Sequence, residues 1–330
     1  MGHRRHSAPR RGSLAYLPRG RAKSMEARIR SWPKIDSDEP KLLGYAGFKA
    51  GCVQLVSIDD REKTPNHGKQ LVSLGTVIVT PPNLIVGIRC YSKDSNGKHV
   101  HSDFYANNLP KNISYLIKSK DKQDLPEYSE KEFKKIQEVY ALIAVTPKNA
   151  GLEQKKPYIF EAIVSGGDTK KQFVFVSELL GKEVKIDQVF EAGVAVDTAA
   201  ITKGKGWEGP ITRWGVKRKQ HKSRKSVREV GSLGPISPQY VMYTVPRAGQ
   251  RGLHQRIEYN KKIMVMDNTE NIKYDINPKG GFKHFGNVSG DFVILRGSVP
   301  GTYKRLIKLR SQIRNVPSKI TKPNILEVVV

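Results

Sequence analysis

A basic stretch at residues 203–262 constrains the fold of this chain more than any other feature of its sequence. The stretch holds fifteen Lys or Arg residues against three acids, and the twelve residues from Lys217 to Arg228 include seven cations and no carboxylate. Glycines and prolines interrupt it, and its apolar residues show no periodicity long enough to build a core. Such charges repel each other unless an array of opposite charge with comparable spacing, such as a phosphate backbone, neutralises them. We therefore expect a long loop that has no interior of its own and takes its shape from a polyanion.

The net charge of +27 is concentrated in this stretch and at both ends of the chain. Residues 1–34 carry ten cations and one acid, residues 300–322 carry seven cations and no acid, and the 213 residues outside the three basic segments sum to a charge of −1. Charge confined in this way indicates nucleic-acid binding rather than solubility. The sequence thus predicts a nearly neutral globular body with three basic extensions. The first extension is expected to be an extended arm, whose Tyr16 and Trp32 stack on bases or pack on the body.

The two cysteines, Cys52 and Cys90, are too few for a disulfide framework or a four-cysteine zinc site, which indicates a reducing compartment. Both lie among apolar residues, so we expect both to be buried. The sequence has no run of eighteen apolar residues, and its first residues lack the apolar segment of a signal peptide. We expect a soluble protein that is not secreted and does not bind a membrane.

Short segments rich in β-branched residues predict the strands of the chain. These segments are 42–48, 52–58, 72–79, 84–91, 158–164, 189–202, 263–266, 282–286, 291–297 and 306–309. Turn residues separate them, for example Lys49 to Gly51 between the first two. Strands of this length and spacing predict a mainly β body, built as a small closed barrel or a sandwich.

An inserted α/β region interrupts the strands. Residues 92–128 are polar and predict irregular structure, while Ser129 and Glu132 form a capping box for a helix. The apolar positions of that helix share one face and are Phe133, Ile136, Tyr140 and Ile143. A second helix is predicted from Gln172 to Leu180. We divide the chain into a basic arm at 1–34, a discontinuous body of 35–105, 185–203 and 263–330, an inserted region at 106–184 and a basic finger at 204–262.

Three candidate chemistries fit the sequence poorly. Gly204, Gly206 and Gly209 match a dinucleotide-binding G-x-G-x-x-G, with Glu229 twenty residues beyond, but Pro210 follows at once and predicts no helix there, and no second parallel strand is predicted. We interpret these glycines as positions where the backbone approaches phosphates closely.

The pair His99 and His101 has only Asp103 nearby as a further metal ligand. Catalysis on RNA would need paired carboxylates or a nucleophile with a base, and the three glutamates of the basic stretch are isolated among cations. We expect no enzyme activity, no cofactor, no bound metal and no small-molecule substrate.

Several long motifs carry a resemblance to a known family. They are RRGSLAYLPRGRA (10–22), LGYAGFKAG (43–51), TPP (80–82), AITKGKGWEG (200–209), TRWGVKR (212–218), TVPRAGQRGLHQRIEYNKKI (244–263), GGF (280–282) and DFVILRGSVPGTYKRLIKLR (291–310). In this order, and over nearly the whole chain, they resemble the archaeal form of the universal third protein of the large ribosomal subunit.

The resemblance implies a translation-factor-like β-barrel with long basic non-globular extensions and an inserted α/β portion. It implies that the finger threads through ribosomal RNA toward the peptidyl transferase centre, and that the protein acts early in subunit assembly in the cytoplasm. The implied partners are large-subunit ribosomal RNA and neighbouring ribosomal proteins.

One departure from the family concerns the tip of the finger. Relatives often carry a tryptophan there, whereas this chain has Ile236, which lacks a π-face for base stacking. Trp207 and Trp214 either stack on bases or anchor the base of the finger, and the sequence leaves both roles open.

The residues that we predict to bind RNA come from the arm, the finger and the C-terminal segment. They are Arg4, Arg5, Arg10, Arg11, Arg19, Arg21, Lys203, Lys205, Trp207, Arg213, Trp214, Lys217, Arg218, Lys219, His221, Lys222, Arg224, Lys225, Arg228, Ile236, Arg247, Gln250, Arg251, His254, Arg256, Lys304, Arg305, Lys308 and Arg310. Two other classes stay open at this point. One is a non-ribosomal RNA-binding protein or RNA chaperone, and the other is an RNA-directed enzyme.

Overall fold

The computed structural model describes residues 9–117, 128, 130–270, 274–314 and 322–330. The strands in this part of the chain are β1 (Lys41–Leu42), β2 (Gly44–Ile58), β3 (Gln70–Val79), β4 (Asn83–Asp94), β5 (Gly97–Tyr105), β6 (Glu138–Val145), β7 (Tyr158–Ser165), β8 (Glu183–Val184), β9 (Ala195–Ile201), β10 (Trp207–Glu208), β11 (Gly249–Gln250), β12 (Gln255–Asn268), β13 (Asp291–Arg296), β14 (Leu306–Ser311) and β15 (Ile325–Val329). The α-helices are α1 (Lys111–Ile117), α2 (Glu130–Phe133), α3 (Thr169–Leu179) and α4 (Pro210–Trp214), with single 3-10 turns at Pro147–Ala150 and Ile186–Gln188. The predicted mainly β class is confirmed.

The chain divides into two compact units. One, which we call the body, comprises Glu26–Ala200 and Ile257–Val330. The other, which we call the basic unit, comprises Met1–Met25 and Ile201–Arg256. The basic unit carries twenty Lys or Arg residues and only two acids. The densest positive charge of the sequence therefore coincides with a separate unit of the fold.

Six strands of the body form a closed circuit of hydrogen-bonded neighbours. Their order is β14, β9, β12, β13, β3 and β2, and β2 pairs again with β14. The 15 residues of β2 let it pair with β14 through its first part and with β15 through its last part. All six strands contribute to one buried apolar cluster, in which alternate residues such as Ile307 and Leu309 point the same way. Because successive side chains of a strand point to opposite faces, each strand thus places one face inside the circuit.

The second sheet of the body is packed against helix α3. Its order is β1, β7, β6, β4 and β5, with β8 paired to β4. Helix α3 packs its buried Phe173 against a group of aromatic rings, Phe104, Tyr128 and Phe133, with centroids 5.4 to 6.3 Å away in edge-to-face contact. β6, β7 and α3 come from the predicted insertion, whereas β4 and β5 come from the residues before it.

Most of the predicted strands are confirmed. β3, β4, β7, β13 and β14 correspond to the segments at 72–79, 84–91, 158–164, 291–297 and 306–309. Helix α3 corresponds to the helix predicted from Gln172 to Leu180. The periodicity of each of these segments matches its final environment, because each has one face or both faces in the core.

The turn predicted at Lys49 to Gly51 is wrong, because β2 runs through it. The register of β2 on β3 shifts between Lys49 and Gly51, which marks a β-bulge. A Cβ atom at Gly51 would lie 2.1 Å from the ring of Phe282, so glycine here permits a close approach within the strand.

The helix predicted from Ser129 to Ile143 is wrong in its second half. Ser129 lies outside the described residues. Helix α2 ends at Phe133, and Tyr140 and Ile143 lie in β6. Because β6 is paired on both sides, by β4 and by β7, tertiary pairing overrides the local helical spacing.

Four smaller expectations also need correction. The segment at 92–128 contains β5 and α1 rather than only irregular structure, the segment at 282–286 is a turn closed by one bridge, and β15 has no counterpart among the predicted strands. Cys52 is exposed, whereas Cys90 is buried, and burial raises the pKa of the Cys90 thiol to about 11. No helix in the described ranges is both long and apolar enough to cross a membrane.

Candidate nucleic-acid interface

The basic unit has an interior, which corrects the expectation of a loop without one. Its centre is Trp214, whose side chain is 5% exposed, at the end of α4. Helix α4 begins directly after β10 because Pro210 suits the first helical position, and it ends at Gly215 in the left-handed conformation.

The helix also corrects our expectation that none opens after Gly209. It has only five residues, and β10 pairs antiparallel with β11. The two-residue β10 is therefore not the parallel strand of a dinucleotide-binding unit.

The N-terminal arm packs on this interior through Arg19. The Arg19 guanidinium lies 3.9 Å from the centroid of the Trp214 ring, a cation–π contact. The same group donates hydrogen bonds to the carbonyl oxygens of Arg213 (2.9 Å) and Ser13 (3.2 Å). Gly12 also lies against this indole, where a Cβ atom would come within 2.6 Å of the ring. These contacts give the arm residues near Arg19 a defined place within the basic unit.

The two ends of the finger are tied together beside Trp214. Arg213 donates to the carbonyl oxygens of Gln250 (3.0 Å) and Arg247 (3.2 Å), and the Trp214 indole donates to Arg247 (3.0 Å). Burial, and next the charge of Arg19, lower the pKa of Arg213. Trp214, Arg19 and Arg213 therefore have internal structural roles, and the anchoring role left open for Trp214 is the one that its burial supports.

A second set of contacts involves the residues just before β12. The imidazole Nδ1 of His254 lies 2.8 Å from the carbonyl oxygen of Gly20, and the backbone N–H of Ala22 donates to Leu253 (2.8 Å). The Arg256 guanidinium lies 4.6 Å from the centroid of the Tyr16 ring, which is largely exposed. Burial is the largest cause of a lowered pKa for both His254 and Arg256.

The outer part of the finger is open to solvent. Every residue from 231 to 243 is exposed, and Ile236 is 90% exposed. Tyr240 and Tyr243 are also strongly exposed, and the sequence analysis missed them. Aromatic residues inside a cation-rich loop are the signal that could have identified them, because nucleobases stack on such rings.

The structure separates the predicted RNA-binding residues of the basic unit by exposure. Arg4 and Arg5 lie outside the described residues. Lys219, Gln250 and Arg251 are half-buried, and Arg10 donates to the carbonyl oxygen of Thr244 (2.8 Å). The exposed members are Arg10, Arg11, Arg21, Lys203, Lys205, Trp207, Lys217, Arg218, His221, Lys222, Arg224, Lys225, Arg228, Ile236 and Arg247.

Two predicted RNA-binding residues of the C-terminal segment are buried in the body, which contradicts that role. Arg310 is 1% exposed and its guanidinium pairs with Asp197 at 2.5 Å. Lys308 lies 3.5 Å from Glu26, and burial is the main cause of its lowered pKa. Lys304 is exposed and Arg305 is half-buried, so neither is buried in the body as Lys308 and Arg310 are.

The candidate metal pair is not assembled into a site. His99 pairs with Asp94 at 2.6 Å, whereas His101 contacts Ser102 at 3.4 Å. Across the described ranges no group of three or more His, Cys, Asp or Glu residues is placed to hold a metal ion.

Comparisons with known proteins agree with the resemblance. The family model described as ribosomal protein L3 matches residues 1–329. The large ribosomal subunit protein uL3 of Methanococcoides burtonii is 39% identical over 335 residues, covering 99% of this chain and 97% of that protein. The proteins of the same name from Archaeoglobus fulgidus and Methanothermobacter thermautotrophicus are 39% and 36% identical, covering 98% and 97% of this chain and 97% and 96% of their own lengths.

Proposed function

Because the chain belongs to the ribosomal protein L3 family, we propose that it is a structural constituent of the large ribosomal subunit and binds large-subunit ribosomal RNA. The family is one of structural proteins and not of enzymes. The observation that carries the proposal is the charge of the basic unit. It contains twenty Lys or Arg residues and only two acids, and most of the cations on the finger are exposed.

The exposed cations of the basic unit are the proposed RNA contacts. Arginines such as Arg218 and Arg224 hold phosphate oxygens in a bidentate way, whereas lysines such as Lys217 act as point charges. Trp207, which is 77% exposed, and the exposed tyrosines of the finger stack on unpaired bases. Recognition is of RNA shape rather than of sequence, because folded RNA exposes few base edges.

The finer features of the proposal rest on the resemblance. The closed circuit of six strands supports a barrel of the translation-factor type. The finger at 204–262 is proposed to reach toward the peptidyl transferase centre, and the protein to join the subunit early in assembly. We propose ribosomes of the cytoplasm as its location and neighbouring large-subunit proteins as further partners. The division into arm, body, inserted region and finger stays part of this proposal.

Co-sedimentation tests the proposal. The tagged protein, expressed in an archaeal host, is expected in the large-subunit fraction at one copy per subunit, and to stay there in salt that removes loosely bound proteins. Non-specific binding weakens steeply with salt, because each phosphate contact releases counterions. An RNA chaperone would instead leave the subunit in high salt and crosslink to many cellular RNAs. That result would overturn the ribosomal proposal and favour the second class.

A further inference from the structure

His254 is held rigidly within the basic unit. Its backbone N–H donates a hydrogen bond to the Thr202 hydroxyl oxygen (3.1 Å). Its carbonyl oxygen accepts from the Thr202 N–H (2.9 Å) and hydroxyl (3.2 Å). The imidazole is fixed in turn by the contact of Nδ1 with the carbonyl oxygen of Gly20 (2.8 Å). Both the position and the ring orientation of His254 are therefore set by the fold.

The contact with Gly20 determines which ring nitrogen carries the proton. A carbonyl oxygen has no hydrogen to donate, so Nδ1 must be the donor. Burial, and next the positive charges of Arg256, Arg19 and Arg213, lower the pKa of His254 below its ordinary value. The ring is then neutral at pH 7 and above, with a single proton on Nδ1. Nε2 is left as a hydrogen-bond acceptor.

An acceptor is unusual at this place, because the charged groups around it are donors. Arg19, Arg213 and Arg256 carry the charges that act on the ring, and the hydrogen bonds of His254 within the described residues go to Gly20 and Thr202. A phosphate oxygen is also an acceptor, so the neutral ring has no hydrogen at Nε2 to offer it. In its neutral form, the ring pairs through Nε2 with a group that donates an O–H or N–H.

RNA presents such a donor beside every phosphate, the 2′-hydroxyl of ribose. We propose that Nε2 of His254 accepts a hydrogen bond from a ribose 2′-hydroxyl of the RNA that the basic unit binds. The site then recognises ribose, while the cations around it bind phosphate. This inference rests on the proposed function, since it names the chemical group of the same RNA that one residue reads.

The substitution His254→Asn isolates the acceptor. The asparagine amide reaches the position of Nδ1 and keeps a donor for Gly20, but it places nothing at Nε2. The probe is an archaeal large-subunit ribosomal RNA transcript in which 2′-deoxynucleotides replace ribonucleotides at random, sorted into bound and unbound fractions. With the unsubstituted protein we expect a 2′-deoxy position that weakens binding about two- to tenfold, the size of one neutral hydrogen bond. With His254→Asn we expect interference at that position to disappear and all other positions to be unchanged.

Three outcomes overturn the inference. Identical 2′-deoxy interference for both proteins would show that His254 reads no ribose. Suppression by His254→Asn of interference from inosine, which lacks the 2-amino group of guanosine, in place of 2′-deoxy interference would assign Nε2 to a base. Nitrogen-15 NMR of the ring that placed the proton on Nε2 would remove the acceptor itself. A thermal unfolding curve for His254→Asn that matches the unsubstituted protein excludes misfolding as the cause, and if that variant unfolds early, the NMR measurement on the unsubstituted protein still decides.

These outcomes differ from a failure of the proposed function. If the unsubstituted protein fails to select any bound RNA, ribosomal RNA binding itself is wrong and the inference falls with it. If it binds and the interference patterns coincide, only the inference fails.

Discussion

At the scale of single residues, burial divides the cations of this protein into two groups with different roles. In β14, Ile307 and Leu309 face the interior of the circuit, whereas Lys308 and Arg310 point to its other side. They are nevertheless buried, because residues distant in sequence lie on that side: Lys308 Nζ is 4.9 Å from the centroid of the Phe160 ring in β7 and 3.5 Å from the Glu26 carboxylate. Arg310 donates to the Ser31 carbonyl oxygen at 2.5 Å. Charge density along the sequence cannot reveal this covering, which depends on residues almost three hundred positions away.

Replacing Arg310 by methionine is expected to destabilise the body strongly. Asp197 would lose its only guanidinium partner among the described residues and would remain buried with a charge, which costs about 3–5 kcal/mol when one member of a buried pair is removed. Urea unfolding of the body, followed by circular dichroism, measures the change. The matched control is Lys304→Met, which removes an exposed cation and should change the free energy of unfolding by less than about 0.5 kcal/mol. Equal unfolding midpoints for the two variants would show that the buried pair does not stabilise the fold.

At the scale of structural elements, the basic unit consists of a packed root and an open loop. The root joins β10, α4 and β11 with residues 9–22 around Trp214. The open loop, at 216–246, adds few internal hydrogen bonds, such as the one from Lys219 N–H to the Val227 carbonyl oxygen (3.1 Å). The root therefore has its own order, and the loop is the part whose shape is expected to depend on RNA.

The two tryptophans of the finger should respond differently to replacement by alanine. Trp214→Ala removes the ring on which Arg19 and Gly12 pack, so we expect the root to open and amide hydrogen exchange to speed up from 203 to 215 and from 247 to 254. Trp207→Ala should leave exchange in the free protein unchanged, because that ring is exposed. It should instead weaken RNA binding by about 1–3 kcal/mol, the value of one stacked base. Unchanged exchange in Trp214→Ala would mean that the root is not held by its tryptophan.

The sequence predicted elements well where local pattern and final environment agree. β3, β13 and β14 are short apolar segments that become buried, so their positions follow from composition. The root of the finger could not be predicted in this way, because Arg19 and Arg213 meet across 194 residues of sequence. In β6 a local pattern was present but gave the wrong element. The apolar spacing at 133–143 fits a helix, whereas pairing with β4 and β7 on both edges makes residues 138–145 a strand.

At the scale of the whole molecule, the charge is divided between the two units in a way that the sequence does predict. The basic unit has twenty cations and two acids, whereas the body has 38 cations and 29 acids. Opposite charges in the body largely offset each other, so the long-range field of the protein originates mainly in the basic unit. Binding that depends on this field must weaken with salt, because mobile ions screen it and compete for phosphates.

The salt dependence of RNA binding therefore tests the electrostatic mechanism for the whole molecule. If about eight phosphates are contacted, the slope of log affinity against log salt should lie near −6 to −7. Replacing Lys217, Arg218, Lys219, Arg224 and Lys225 by alanine should reduce the magnitude of that slope by about 4, since each lost contact removes 0.7 to 0.9.

The matched control replaces five exposed lysines of the body by alanine, namely Lys155, Lys156, Lys170, Lys171 and Lys182. It removes the same charge from the molecule but not from the basic unit. If net charge alone attracts RNA, both variants should lose slope equally. If phosphates are contacted by the finger, only the finger variant should lose it, and the thermal unfolding of the body should be the same for that variant as for the unsubstituted protein. A slope near zero for the unsubstituted protein would contradict both accounts, because counterion release would then contribute nothing to binding.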